Sequence, residues 1–249
     1  MILIVELTRL LENGNANMNN NLLRIKFQQR LNKLASSDYD NIECWQIAEA
    51  FNKAQREWFR RQVHGLNLKK ESSEQSINVI DDLQKFITTA ELLGTDKDVY
   101  FESTQIPDKY INFIRVSALA SNDKCKNRKM TVYLAEEANA KILVDDVFKG
   151  PDFDWGETFC TIMGDKIRIY TNDKFNISNA TLTYYRKPVD VAFDNCINPS
   201  TGLASLNQEC EFKDTVTELI IDEAVAIIAG DIESMTQYQR NTQNAQRSN

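Results

Sequence analysis

With 249 residues, 42% of them apolar and 26% charged, the chain can bury a sizeable core, and its 8 glycines and 4 prolines exclude collagenous and low-complexity classes. The net charge of −7 is uneven: residues 1–70 hold 11 Lys/Arg against 7 Asp/Glu, whereas residues 71–249 hold 18 against 29. The larger part of the chain therefore repels a duplex, and tight DNA binding is not expected. Five cysteines, odd in number and without a CxxC pair, predict reduced thiols rather than a disulfide framework or a thiolate zinc site.

In chain order, the apolar run Ile2 to Val5 has no basic segment before it and reaches Glu6 too soon for a signal peptide or a membrane span. The expectation is a soluble protein made in a cytoplasm, with residues 1–17 as an N-terminal arm or a marginal strand or helix. Leu23, Phe27, Leu31 and Leu34 recur at helical spacing, and after a polar break Ile47, Phe51, Ala54 and Trp58 do the same, with Asp40 or Asn41 as the cap. Residues 18–70 thus read as a helical hairpin, with Lys53, Arg56, Arg60 and Arg61 on a solvated outer face.

Residues 71–210 read as a β-rich domain with one short helix. Strands are predicted over Asp98 to Glu102, Tyr110 to Ala118 and Met130 to Tyr133, and a helix over Glu136 to Phe148. The clearest stretch runs from Thr158 to Pro188. It reads as three successive antiparallel strands, 158–163, 166–171 and 179–186, separated by Gly164-Asp165 and Asn172-Asp173 turns. Between them, Lys124 to Lys129 form a basic loop, and the loop Pro151 to Gly156 exposes Phe153 and Trp155 unless something covers them. Residues 211–235 predict a helix with Asp214 at its start and a stripe wider than one face, including Ile221, Val225, Ile228 and Ile232. That stripe calls for burial on two sides, one against the helical part and the other against a second subunit. Residues 236–249 form a polar tail, whose Arg240 and Arg247 suit pairing with carboxylates of a neighbour. The fold class expected is α+β, a helical hairpin and long C-terminal helix packed with a mainly antiparallel β domain.

Catalytic chemistry finds little footing. The single histidine, His64, excludes HExxH, which needs two, and its place in a Val63-His64-Gly65 helix end favours a role at the negative end of the helix dipole over one as a catalytic base. The acidic pairs Asp81-Asp82, Asp145-Asp146, Asp152 with Asp154, and Asp222-Glu223 lack the glycine or the second cluster that a cation loop or a glycosidase pair requires. No cofactor, metal site or catalytic residue is expected.

The blocks Asp81-Asp82-Leu83-Gln84, Ile106-Pro107-Asp108-Lys109-Tyr110, Asp145 to Pro151, Lys166 to Tyr170, Thr183 to Pro188 and Glu233 to Gln239, in that order, resemble virion structural proteins of crAss-like bacteriophages. The resemblance implies a head-to-tail connector or tail ring protein. Such proteins form rings, usually of twelve copies, that meet the portal protein and other tail ring or tail-tube proteins and let DNA pass without specific binding. It implies no membrane partner. On this reading Phe153, Trp155, Ile221, Val225, Ile228, Ile232, Arg240 and Arg247 are interface residues. The alternative is a non-catalytic β-sandwich module that binds a receptor or carbohydrate by stacking sugars on Trp155, Phe153, Tyr184 and Tyr185.

Overall fold

The computed structural model describes residues 18–31, 42–63, 82–231 and 242–243. It is a mixed α+β structure in two compact units. Among the described residues, one unit takes the chain up to Gln84 and from Pro188 onward, and the other takes Lys85–Lys187. The β-rich unit is therefore narrower than the 71–210 expected, because residues 188–210 belong with the helices.

The helical unit is built from α1 (Asn20–Leu31), α2 (Cys44–Val63) and α4 (Asp214–Asp231). Leu23, Phe27 and Leu31 on α1, and Ile47, Phe51 and Trp58 on α2, are buried as their spacing required. The start of α2 is set by Glu43, whose N–H donates to Gln46 Oε1 at 2.9 Å, the return half of a capping box. The expected caps Asp40 and Asn41 lie outside the described residues. Both α1 and α2 pack on α4, so the wide apolar stripe of α4 is buried within its own chain. Ile220, Ile221, Ala224 and Val225 are fully enclosed there.

Charged groups line the same helix contacts. Glu218 of α4 pairs with Lys26 and Arg30 of α1, Arg30 also reaches Asp222 at 3.2 Å, and Arg61 of α2 pairs with Glu223. Arg61 is thus not on a purely solvated face as the sequence predicts.

The second unit is one eight-stranded sheet in the order β1-β8-β4-β5-β6-β7-β3-β2. Its strands are β1 (Ile87–Glu91), β2 (Gly94–Asp96), β3 (Tyr100–Ser103), β4 (Tyr110–Ser121), β5 (Arg128–Leu134), β6 (Glu157–Met163), β7 (Lys166–Tyr170) and β8 (Asn176–Arg186). β1 and β2 occupy opposite ends of the order, yet they are consecutive in the chain. Leu92 N–H donates to Ala180 O on one side and Leu93 O accepts from Thr104 N–H on the other, so one stretch of chain joins both edges into a barrel. Three register shifts between β4 and β8 bend the two longest strands round it. The interior holds Val116, Ala118, Met130, Ile167, Ile169 and Leu182 from alternate positions.

The β6–β7 hairpin forms as predicted, turning at Gly164 with φ +62°. The next turn differs. Asn172 and Asp173 do take positive φ, but β7 pairs with β3 while β8 crosses to lie between β1 and β4, so no three-strand meander exists. β5 and β6 are parallel, which demands a crossover, and residues 135–156 supply it through a short 3-10 turn and helix α3 (Ala140–Asp145). This helix stops earlier than Phe148 because Asp146 Oδ1 takes the N–H groups of Phe148 and Lys149 at 2.8 and 3.1 Å. Inside the turn, Ala140 packs with Phe159 and Tyr170 on the barrel's outer wall.

Candidate interaction surfaces

The acidic pairs considered for chemistry are mostly committed elsewhere. Asp82 pairs with Lys213 at 3.1 Å, and Asp222 and Glu223 pair with Arg30 and Arg61. Asp146 is held below the usual carboxylate range by the backbone N–H groups it accepts, and Asp152 Oδ1 accepts the Trp155 N–H at 2.8 Å. Burial pushes the Cys160 thiol up to about 12, which keeps it protonated and unreactive. Among the described residues no group of three His, Cys, Asp or Glu side chains could hold a metal ion, and no helix is long and apolar enough to cross a membrane. His64, Asp81, Ile232, Arg240 and Arg247 lie outside the described residues.

What the described surface offers instead is apolar side chains on loops. In the loop between α3 and β6, Phe153 and Trp155 part company. Phe153 is 7% exposed, sits with the barrel core 5.8 Å from Phe175, and carries Arg128 over its ring at 5.5 Å. Trp155 is 82% exposed. The division is set by the backbone: the Asp152 side chain ties down the Trp155 N–H, and Gly156 turns the chain back at φ +72° against Lys129 and Arg128. The expected aromatic pair therefore reduces to one protruding indole. Sugar stacking loses Phe153 and also Tyr184, which is buried inside the barrel.

Beside Trp155 stands the β4–β5 hairpin. Asn122 Oδ1 accepts the N–H groups of Lys124 and Cys125, which holds Lys124, Cys125 and Lys126 outward in solvent. Arg128 donates from Nη2 to Asp154 O and so fastens this hairpin to the Trp155 loop. A cleft of about 370 Å³ opens between them, lined by Lys124, Lys174, Asp152 and Asp154 among others. On the α3 turn, Val147 and Phe148 also stand in solvent, Phe148 at 92%.

The helical unit presents a second apolar surface, on residues 189–210. This segment folds back on itself through Ala192–Gln208 and Ile197–Ala204 bridges and turns at Gly202. Its base is clamped to α2, where Asn52 accepts the Val191 N–H at 2.7 Å and donates to Val191 O at 2.9 Å, and Gln55 donates to Val189 O. Nearer the tip, Cys196 is joined to Cys44 at the start of α2 by a disulfide, with Cα atoms 5.9 Å apart. This corrects the expectation of five reduced thiols: the two cysteines are 152 residues apart, and only the folded chain brings them together. Ile197, Leu203 and Leu206 remain exposed on this hairpin, Leu206 at 86%.

The remaining interface candidates fall on α4. Ile221, Val225 and Ile228 are buried within the chain, so they are core residues and have no face left for a second subunit. Other side chains that protrude, among them Val147, Phe148, Ile197, Leu203 and Leu206, carry no periodic signal that marks them in sequence. No family model matches this chain, and no curated protein is similar to it.

Proposed function

We propose that this chain is a structural subunit of a tailed-phage virion, a ring-forming head-to-tail connector or tail ring protein with no catalytic activity. The observation that supports the assembly part is the set of large apolar side chains standing in solvent, Val147, Phe148 and Trp155 on the barrel and Ile197, Leu203 and Leu206 on the helical unit. Several such side chains gathered on one short hairpin, as Ile197, Leu203 and Leu206 are, suit a surface that a partner covers. The virion part rests on the ordered blocks that resemble crAss-like phage proteins. In that setting a helical part and a β part belong to one repeating subunit, and its partners are further copies, the portal protein and other tail rings. A chain of net charge −7 lets DNA pass without holding it.

Native mass spectrometry of the full chain tests this. A large closed ring is the expected result. A monomer at tens of micromolar with portal protein present overturns it, and a discrete trimer favours a virion binding module instead.

A further inference from the structure

The two apolar surfaces differ in charge, and the difference is complementary. From Pro188 to Phe212 the chain carries Asp190, Asp194, Glu209 and Glu211 and neither Lys nor Arg. The barrel hairpin at residues 122–129 carries Lys124, Lys126, Arg128 and Lys129 against Asp123 alone, and stands against the loop that bears Trp155. Asp152 and Asp154 lie at the same end and offset two of these cations, while Lys174 of the same cleft adds one, so the barrel end keeps a small positive excess. One surface is therefore acidic and aliphatic, the other basic and aromatic.

We infer that the acidic hairpin of one copy docks on the basic, Trp155-bearing barrel end of the next. This deepens the ring reading and rests on it. Two unlike surfaces on one chain make a heterologous, head-to-tail contact, and repetition of such a contact closes a ring when its rotation allows. A two-fold contact of either surface with itself would set like charges against each other. In the head-to-tail contact, Leu203 and Leu206 exclude water around the Trp155 indole while the lysines meet Asp194 and Glu209 at the rim, the usual division between anchor and rim.

The test uses two full-length variants altered only at exposed side chains. One, Leu203→Asp with Leu206→Asp, spoils the hairpin; the other, Trp155→Ala with Lys124→Glu and Lys126→Glu, spoils the barrel end. Sedimentation velocity and native mass spectrometry should find each variant alone at least about tenfold weaker in self-association than the parent. Mixed in equal amounts they should form a one-to-one heterodimer that grows no further, since each still holds one intact surface. Assembly by either variant as strong as the parent's overturns this contact and leaves the ring reading standing. A mixture that stays monomeric while the parent assembles overturns the contact in the same way. A parent that never assembles removes both. The single changes Trp155→Ala and Leu206→Ala repeat the comparison should a multiple variant lose its native circular dichroism.

Discussion

The two units solve the same problem with different bonds. In the helical unit, elements distant in sequence are tied by side chains: Glu218, Asp222 and Glu223 to three cations of α1 and α2, Asn52 to the backbone of Val191, and Cys44 to Cys196. In the barrel the ties are chiefly backbone ladders, and the closure between Leu92, Ala180, Leu93 and Thr104 is made by main-chain N–H groups, with the Thr104 hydroxyl adding a bond to Leu93 O at 3.2 Å. Charge divides the same way. Residues 85–187 hold 15 Lys/Arg and 15 Asp/Glu, so the acidic surplus that the sequence attributes to everything past residue 70 belongs to the helical unit. A unit held by side chains can be undone at single positions, whereas a ladder spreads the load over many residues.

The largest expected effect is a core truncation made once in each unit. Ile220→Ala in the helical unit and Ile169→Ala in the barrel, both at fully enclosed positions, should each cost about 2–5 kcal/mol. Calorimetry should resolve two transitions, each variant lowering one of them. A single transition lowered by both variants would dissolve the distinction between the units.

Next in size is the disulfide. Cys44→Ser with Cys196→Ser should destabilise the helical unit by about 2–4 kcal/mol and leave hydrogen exchange in the barrel unchanged. The lower end is favoured because Arg186 N–H donates to Phe86 O at 2.9 Å, which sets the barrel's entry and exit side by side. With the barrel folded, the loop left to close is therefore far shorter than the 152 residues between the cysteines. Loss of barrel protection in the double serine variant would show that the bond supports both units.

Asn52→Ala should cost about 1–3 kcal/mol by leaving the Val191 N–H and C=O without the side chain that serves both. Chemical denaturation of the helical transition measures it, and no shift would mean that the clamp is idle.

The smallest effect concerns pH, and its sign differs between the units. The hydrogen bond from Arg168 holds Glu102 of the barrel below its ordinary 4.5, so its contribution is present above that value and is lost as pH falls through the lowered one. Burial, opposed by Arg61, raises Glu223 of the helical unit above 4.5. Its contribution is present below 4.5 and is lost as pH rises through the raised value. Exchange rates corrected for intrinsic chemistry, followed from neutral pH downward, should show helical amides near Glu223 gaining protection before barrel amides near Glu102 lose it. Parallel losses in both would contradict this.

Much of the secondary structure was legible because burial here follows period. Leu23, Phe27 and Leu31 mark α1, and Ile167 with Ile169 marks β7. β1 and β2 escape notice because they are short: β1 is half-buried but has Ile87 as its one large apolar residue, and β2 is exposed throughout. The crossing of β8 is invisible for a different reason: Asn172-Asp173 has the residues of a hairpin turn, and only pairing partners decide whether the chain turns back or travels on. Phe153 and Trp155 are two residues apart among Asp and Gly, and their opposite fates depend on one Asp152 hydrogen bond and the φ of Gly156. Pairing of Cys44 with Cys196 is likewise a tertiary fact, unreadable from spacing.

That α4 is the shared partner of α1 and α2 bears on how the chain emerges from a ribosome. Both early helices are synthesised with their apolar faces uncovered, and more than a hundred residues of barrel follow before Val216 and Ile220 exist to cover them. The barrel carries every strand it needs by Arg186 and can close first, since domains fold as units during synthesis. Phe27 and Phe51, made before any strand, therefore wait longest for burial, and in that interval they are natural clients for a chaperone.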